Sequence, residues 1–213
     1  INYFVIGLLT LVLGIMSICG ASFDSSMLFL LEKAAISIIL AVSLSLVVGF
    51  LGELSLGHAG FMCVGAYVGG LCAVLLKQSM PDMKLPVLII AMLIGGAVAA
   101  VFGFIIGLPS LRLKGDYLAI VTLAFGEIVW NLFMNSSDES FGGALGMSTV
   151  RIDKDYLFVI ALVVVLLCLA VTQNLIRSKH GRAITSIRDN EIAARAMGIN
   201  VTFYKLFVFV VAA

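Results

Sequence analysis

The sequence predicts an all-α protein, a polytopic bundle of transmembrane helices. Three observations carry that prediction. Of 213 residues, 62% are apolar and 12% charged, where a soluble domain holds roughly 45–50% and about 25%. The mean hydropathy is +1.19. The apolar residues also come in long blocks without strand-like alternation, which sets aside a barrel. Lipid offers the backbone no water to bond, so blocks of this length form helices.

Six segments are long enough to cross a bilayer, near residues 3–19, 34–51, 56–76, 87–108, 117–134 and 156–176. The first carries no basic n-region and reads as a span, not a signal peptide. A seventh apolar run opens near 203 and stops at Ala213, short of the roughly 20 residues a span needs. The expectation is one transmembrane bundle over 1–213, truncated at its C-terminal end: six full spans and a cut-off seventh. The pairs Gly65/Gly69 and Gly95/Ala99/Gly103/Gly107 repeat at small-xxx-small spacing, which lets helices pack closely in lipid.

Loops alternate between the two sides. One set holds Arg112, Lys114, Arg177, Lys179, Arg182, Arg188 and Arg195. The other holds Lys33, Lys77, Lys84, Arg151 and Lys154, diluted by acids such as Asp82, Asp138 and Asp153. The positive-inside rule makes the first set cytoplasmic, and the N-terminus with it.

The net charge of +1 and the lack of a basic tail or C2H2 spacing give no sign of nucleic acid. Cys19, Cys63, Cys72 and Cys168 lie inside apolar runs without a His at metal spacing, so they read as packing residues and no metal site is expected. The two histidines, His58 and His180, do not assemble a catalytic constellation, so no catalytic residues are named and no enzyme is expected.

The polar insert from Ser178 to Asn200, within a loop at 177–202, resolves into two short helices. Ala183, Ile184 and Ile187 form an apolar stripe on the first. Asp189 or Asn190 caps the second, Glu191 sits in its first turn, and Gly198 stops it. Ile192, Ala193, Ala196 and Met197 share one of its faces. A helix this short is marginal alone, so it needs a partner surface or the bundle.

Two polar residues stand out inside the spans. Glu127 lies in the middle of the fifth segment, where an acid costs roughly 2.5–3.5 kcal/mol and must face protein or a water-filled path. His58 sits near the inner end of the third, between Gly57 and Gly60, which mark a kinked or re-entrant start. Both are candidates for the substrate path. Asp116 is placed to cap the fifth helix and Tyr117 to anchor it at the interface. The outer loop 135–155 reads either as a docking surface or as a solvated loop.

"EIAARAMG", Glu191 to Gly198, resembles the EAA loop of ABC importer permeases, the coupling helix that enters a groove on an ATP-hydrolysing subunit. On that resemblance Glu191, Ala193, Ala194 and Gly198 carry the contact. "GELSLGHAGFMCVGAY" (52–67), "LRLKGDYLAIVTLAFGEIV" (111–129) and "GRAITSIRDNEIAARAMGINVTFYKLFVF" (181–209) are similar to permeases for branched-chain amino acids, the second to the LivM-type subunit. The resemblance implies a permease subunit in a bacterial plasma (inner) membrane, paired with a LivH-type subunit. It further implies two ABC ATPase subunits and a periplasmic or lipid-anchored amino-acid-binding protein. The chain lacks a GxxxxGK[ST] loop, so no cofactor is expected on it, and ATP with Mg belongs to the ATPase partners. The family shows an Arg three residues after Glu127, where this chain has Trp130. A permease for urea or short amides shares the "LSLGHAGF" pattern and is the nearest alternative. An ATP-independent secondary transporter is a further one.

Overall fold

A computed structural model describes residues 25–79, 84–110, 116–137, 141–147, 149 and 154–213. The expected first span at 3–19, Cys19, Arg112, Lys114 and the side chain of Asp116 lie outside the described residues, as does part of the 135–155 loop. The described elements are helices and turns: α1 (Ser25–Ser45), a π-helical stretch (Leu46–Leu51), α2 (His58–Ser79), α3 (Lys84–Ser110), α4 (Asp116–Met134), a 3-10 turn (Gly143–Leu145), α5 (Lys154–Arg177), α6 (Lys179–Asp189), α7 (Glu191–Ala196) and α8 (Val201–Ala212).

Among the described residues, five stretches are long and apolar enough to cross a membrane: Ser26–Leu51, His58–Gln78, Leu85–Pro109, Tyr117–Met134 and Leu157–Arg177. Each overlaps one of the predicted segments. The largest difference is at α1, which starts well before residue 34 because the charges at Glu32 and Lys33 do not break it. Lys33 lays its ammonium 5.0 Å from the Phe29 ring centroid, and its long stem follows apolar surface. The seventh apolar run, opening near 203, corresponds to α8, a shorter apolar helix.

The chain divides into two compact units. In the first, Leu28 and Leu31 of α1 pack with Phe158 and Leu162 of α5. The second, from Ser43 to Val150 and Ile176 to Ala213, holds the residues of interest. Its centre is an aromatic cluster in which Phe61 and Val64 of α2 meet Phe125, Val129 and Phe133 of α4. Tyr67 stacks on Phe133 at 4.1 Å, and Phe141 meets Phe133 edge-on at 5.3 Å. In lipid, apolar burial alone gives helices little reason to associate, so close packing of this kind holds them together.

The glycine stripes serve that packing. A Cβ on Gly95 would lie 2.5 Å from the Gly65 carbonyl oxygen, and one on Gly69 would lie 3.0 Å from that of Ala91. These positions bring α2 and α3 backbone to backbone. Further along the same ladder, Gly103 receives Ala213, the residue that follows α8, and Gly107 receives Leu206 of α8. One stripe on α3 therefore seats two neighbours.

Between the π-helical stretch and α2 the chain is non-helical from Gly52 to Gly57. Gly52 has φ +79°, and its backbone N–H donates to the Val47 carbonyl. This bond closes the wide π turn. Gly57 lies flat against α4: a Cβ there would fall inside the Thr122 carbonyl, and a Cβ on Gly126 would lie 3.5 Å from the Gly57 Cα. Gly126 is near the midpoint of α4, about 15 Å from its start at 1.5 Å per residue. Thr122, the tighter contact, is about 9 Å from that start, so the segment runs along the first half of α4 and α2 begins there. Irregular backbone at such depth is tolerated where protein covers it, and here the Leu56 N–H donates to Thr122 Oγ1 at 3.1 Å.

Candidate functional site

The polar insert folds as two helices, as its sequence predicts. Ser178 caps α6 by accepting from the Gly181 N–H at 3.2 Å, and Ile184 and Ile187 are buried. Asn190, not Asp189, caps α7: its Oδ1 accepts from the N–H groups of Ile192 and Ala193, each at 3.0 Å. Gly198 ends α7 at φ +82°, a value only glycine adopts freely. The Ile199 N–H then closes back on the Ala194 carbonyl at 3.1 Å.

The two sides of α7 differ. Ala194 is 4% exposed and faces the chain's own bundle, where α7 meets α6 and α8. Ile192 and Met197 are 81% and 83% exposed, and Ala193 and Ala196 share their side of the helix. The expected site residues thus separate. Ala193 lies on the open surface, Ala194 seats the helix, and Gly198 fixes where it stops. Glu191 turns inward to an ion pair.

That pair is the part the sequence did not reveal. Lys205, on α8, is 6% exposed. Its Nζ donates to Glu53 Oε1 at 2.5 Å and to Glu191 Oε2 at 3.2 Å. Glu191 Oε1 also accepts from Arg195 Nη2 at 2.7 Å, one helical turn on. Arg188 of α6 makes a second tie, donating from Nη1 to the Gly49 carbonyl at 3.0 Å. Its Cγ occupies the space where Gly52 would carry a Cβ. Lysine in an apolar run was the available signal, but its partner Glu53 is 152 residues away.

The candidate path residues also separate. Glu127 is exposed and lines a cavity of about 220 Å³ with Gly57, Gly60, Cys63, Leu123 and Trp130. One turn apart on the same face, the Asn131 amide donates to the Glu127 carbonyl at 2.8 Å and the Asn135 amide to the Asn131 carbonyl at 2.9 Å. Glu127, Asn131 and Asn135 make a polar stripe at i, i+4, i+8 spacing, of which only the acid was singled out from sequence. His58 is buried behind the cavity wall. Its Nε2 lies 2.7 Å from Ser43 Oγ, and its ring meets Phe61 edge-on. Among the described residues no three His, Cys, Asp or Glu side chains are grouped to hold a metal ion.

A helix face with two bare apolar side chains, on a short element outside the spans, is what a docking loop presents. The family model described as "Branched-chain amino acid transport system / permease component" matches residues 26–213. The chain belongs to this family. It is 35% identical over 211 residues to the high-affinity branched-chain amino acid transport system permease protein LivM of Salmonella typhimurium. It is likewise 35% identical over 209 residues to the protein of the same name from Escherichia coli. Each match covers 84% of this chain and 47% of the relative, so the chain spans about half the length of the curated relatives it matches. No solved structure matches it.

Proposed function

We propose that this chain is a transmembrane permease subunit of an ABC importer for leucine, isoleucine and valine. It pairs with a LivH-type permease subunit in a bacterial plasma (inner) membrane. A periplasmic or lipid-anchored binding protein delivers the amino acid to the outer face, where the 135–155 loop is a docking surface. Two ABC ATPase subunits bind ATP with Mg and engage the 177–202 loop, which lies on the cytoplasmic side with the N-terminus.

The observation that carries this reading is the exposure of Ile192 and Met197 on α7. Two large apolar side chains in water are an unfavourable surface unless a partner covers them. The neighbouring alanines let that partner approach the helix backbone. Ala194, being buried, contributes by seating α7, and Gly198 by ending it.

The substrate path runs past Glu127. An acid at mid-span on an exposed helix face is costly against lipid. The adjoining cavity and the Asn131–Asn135 stripe give a polar track that a zwitterionic amino acid can follow, with the carboxylate of Glu127 facing its ammonium. His58 acts on this path indirectly, by fixing the start of α2 through Ser43.

The test is uptake of labelled leucine and of labelled urea by cells carrying the complete transporter, with wild-type chain and with Glu127→Gln. Leucine uptake that depends on ATP, and falls in Glu127→Gln while ATPase and binding protein still co-purify, is the expected result. Urea uptake without leucine uptake would overturn the substrate. Leucine uptake that survives removal of the ATPase subunits would overturn the mechanism.

A further inference from the structure

We infer that Lys205 is the joint through which movement of α7 reaches the segment 53–57 and the cavity wall behind it. This rests on the docking reading above. Lys205 is a positioning residue: it touches neither the docking face nor the cavity, and acts through Glu191 on one side and Glu53 on the other.

Three elements meet at one ammonium, two of them consecutive helices and the third 152 residues away in sequence. Glu191 is the first residue of α7, Glu53 stands at the base of the non-helical segment, and Lys205 projects from the first turns of α8. The side chains of Lys205 and Glu53 are 7% and 14% exposed. Burying a lone ammonium or carboxylate is strongly unfavourable, and breaking such a pair leaves an uncompensated charge. A displacement of α7 therefore has two outcomes. Either Glu191 carries Lys205 and Glu53 with it, or the 3.2 Å Glu191–Lys205 contact opens. Since Lys205 keeps its closer contact with Glu53, the first outcome moves the segment base.

What lies beyond Glu53 makes the movement consequential. Gly57 is wedged against the Thr122 carbonyl and Leu56 is bonded to Thr122 Oγ1, while Gly57 also lines the cavity that holds Glu127. Three residues separate Glu53 from Gly57, a reach of at most roughly 13 Å. The tie of Arg188 to Gly49 holds the other end of the same turn, so α6 and α7 both grip the stretch 49–53. This connects the docking face to the path through packed and charged contacts, the kind of contiguous network that carries coupling.

The experiment uses the full-length chain in the assembled transporter, reconstituted in vesicles, and reads leucine taken up per ATP hydrolysed. Lys205→Met keeps the apolar stem and removes the charge. It is expected to lower that ratio about tenfold, within the roughly 5- to 150-fold range of site-to-site coupling, with ATPase co-purification retained. Glu53→Gln, which leaves Lys205 paired with Glu191, lowers it in the same direction. The double variant Lys205→Met/Glu53→Gln is no worse than Lys205→Met alone, and Lys205→Arg restores coupling. An unchanged ratio in Lys205→Met overturns the inference, and so does a double variant whose loss is the product of the two singles. If Lys205→Met does not assemble, Glu53→Gln decides alone: lowered coupling supports the joint and an unchanged ratio refutes it. Loss of ATPase co-purification in Ile192→Ala reports on docking, a separate readout, so failure of the docking reading is distinguishable from failure of this one.

Discussion

Replacing Ile192 by Ala probes the docking face with little effect on the chain itself. Ile192 is 81% exposed, so its loss opens no cavity in the bundle, and the Asn190 cap it receives through its backbone N–H is unaltered. Three carbons are removed, at about 0.8 kcal/mol for each buried methylene. Scaled by the exposed fraction that a partner can cover, the loss is about 2 kcal/mol. At 1.4 kcal/mol per decade, that is a roughly thirtyfold weaker hold on the ATPase subunits. The assay is titration of purified ATPase subunits onto the detergent-solubilised permease pair, with thermal unfolding of the permease measured alongside. An unchanged unfolding temperature and an affinity lowered by more than about tenfold are expected. An affinity unchanged within about twofold would refute the reasoning, because no partner would then be covering this side chain.

Two further predictions concern the frame around the site. Ala194→Trp should destabilise the permease even without ATPase, by about 1–3 kcal/mol of overpacking, whereas Ala193→Trp should leave unfolding unchanged and weaken only ATPase recruitment; thermal unfolding and co-purification of the two variants check this. Gly57→Ala places a methyl group inside the Thr122 carbonyl, so it should lower thermal stability and uptake together; wild-type behaviour on both would contradict the close approach described here.

The five spans among the described residues were legible because lipid demands about 20 apolar residues in a row, and that demand is written locally. The start of α1 was less so, since Glu32 and Lys33 resemble a loop until Lys33 is seen over Phe29. The ends of α7 were legible, to the choice between Asp189 and Asn190 at its start and at Gly198 after its end, because such residues act within three or four residues of themselves; the Ser178 cap of α6 was not singled out. The apolar face of α7 could be read from its spacing, but which alanine turns inward could not, since that depends on α6 and α8. The π turn and the Lys205 cluster were out of reach for the same reason: Gly52 answers to Arg188, and Lys205 to Glu53, across more than a hundred residues.

The central claim is that the exposed face of α7 meets an ATPase subunit on the cytoplasmic side. Cross-linking from Ile192→Cys in membranes holding the complete transporter tests it most directly. The account predicts a covalent adduct with the ATPase subunit and no labelling of position 192 by a membrane-impermeant thiol reagent added outside intact cells. Labelling from outside, with no adduct, would contradict it.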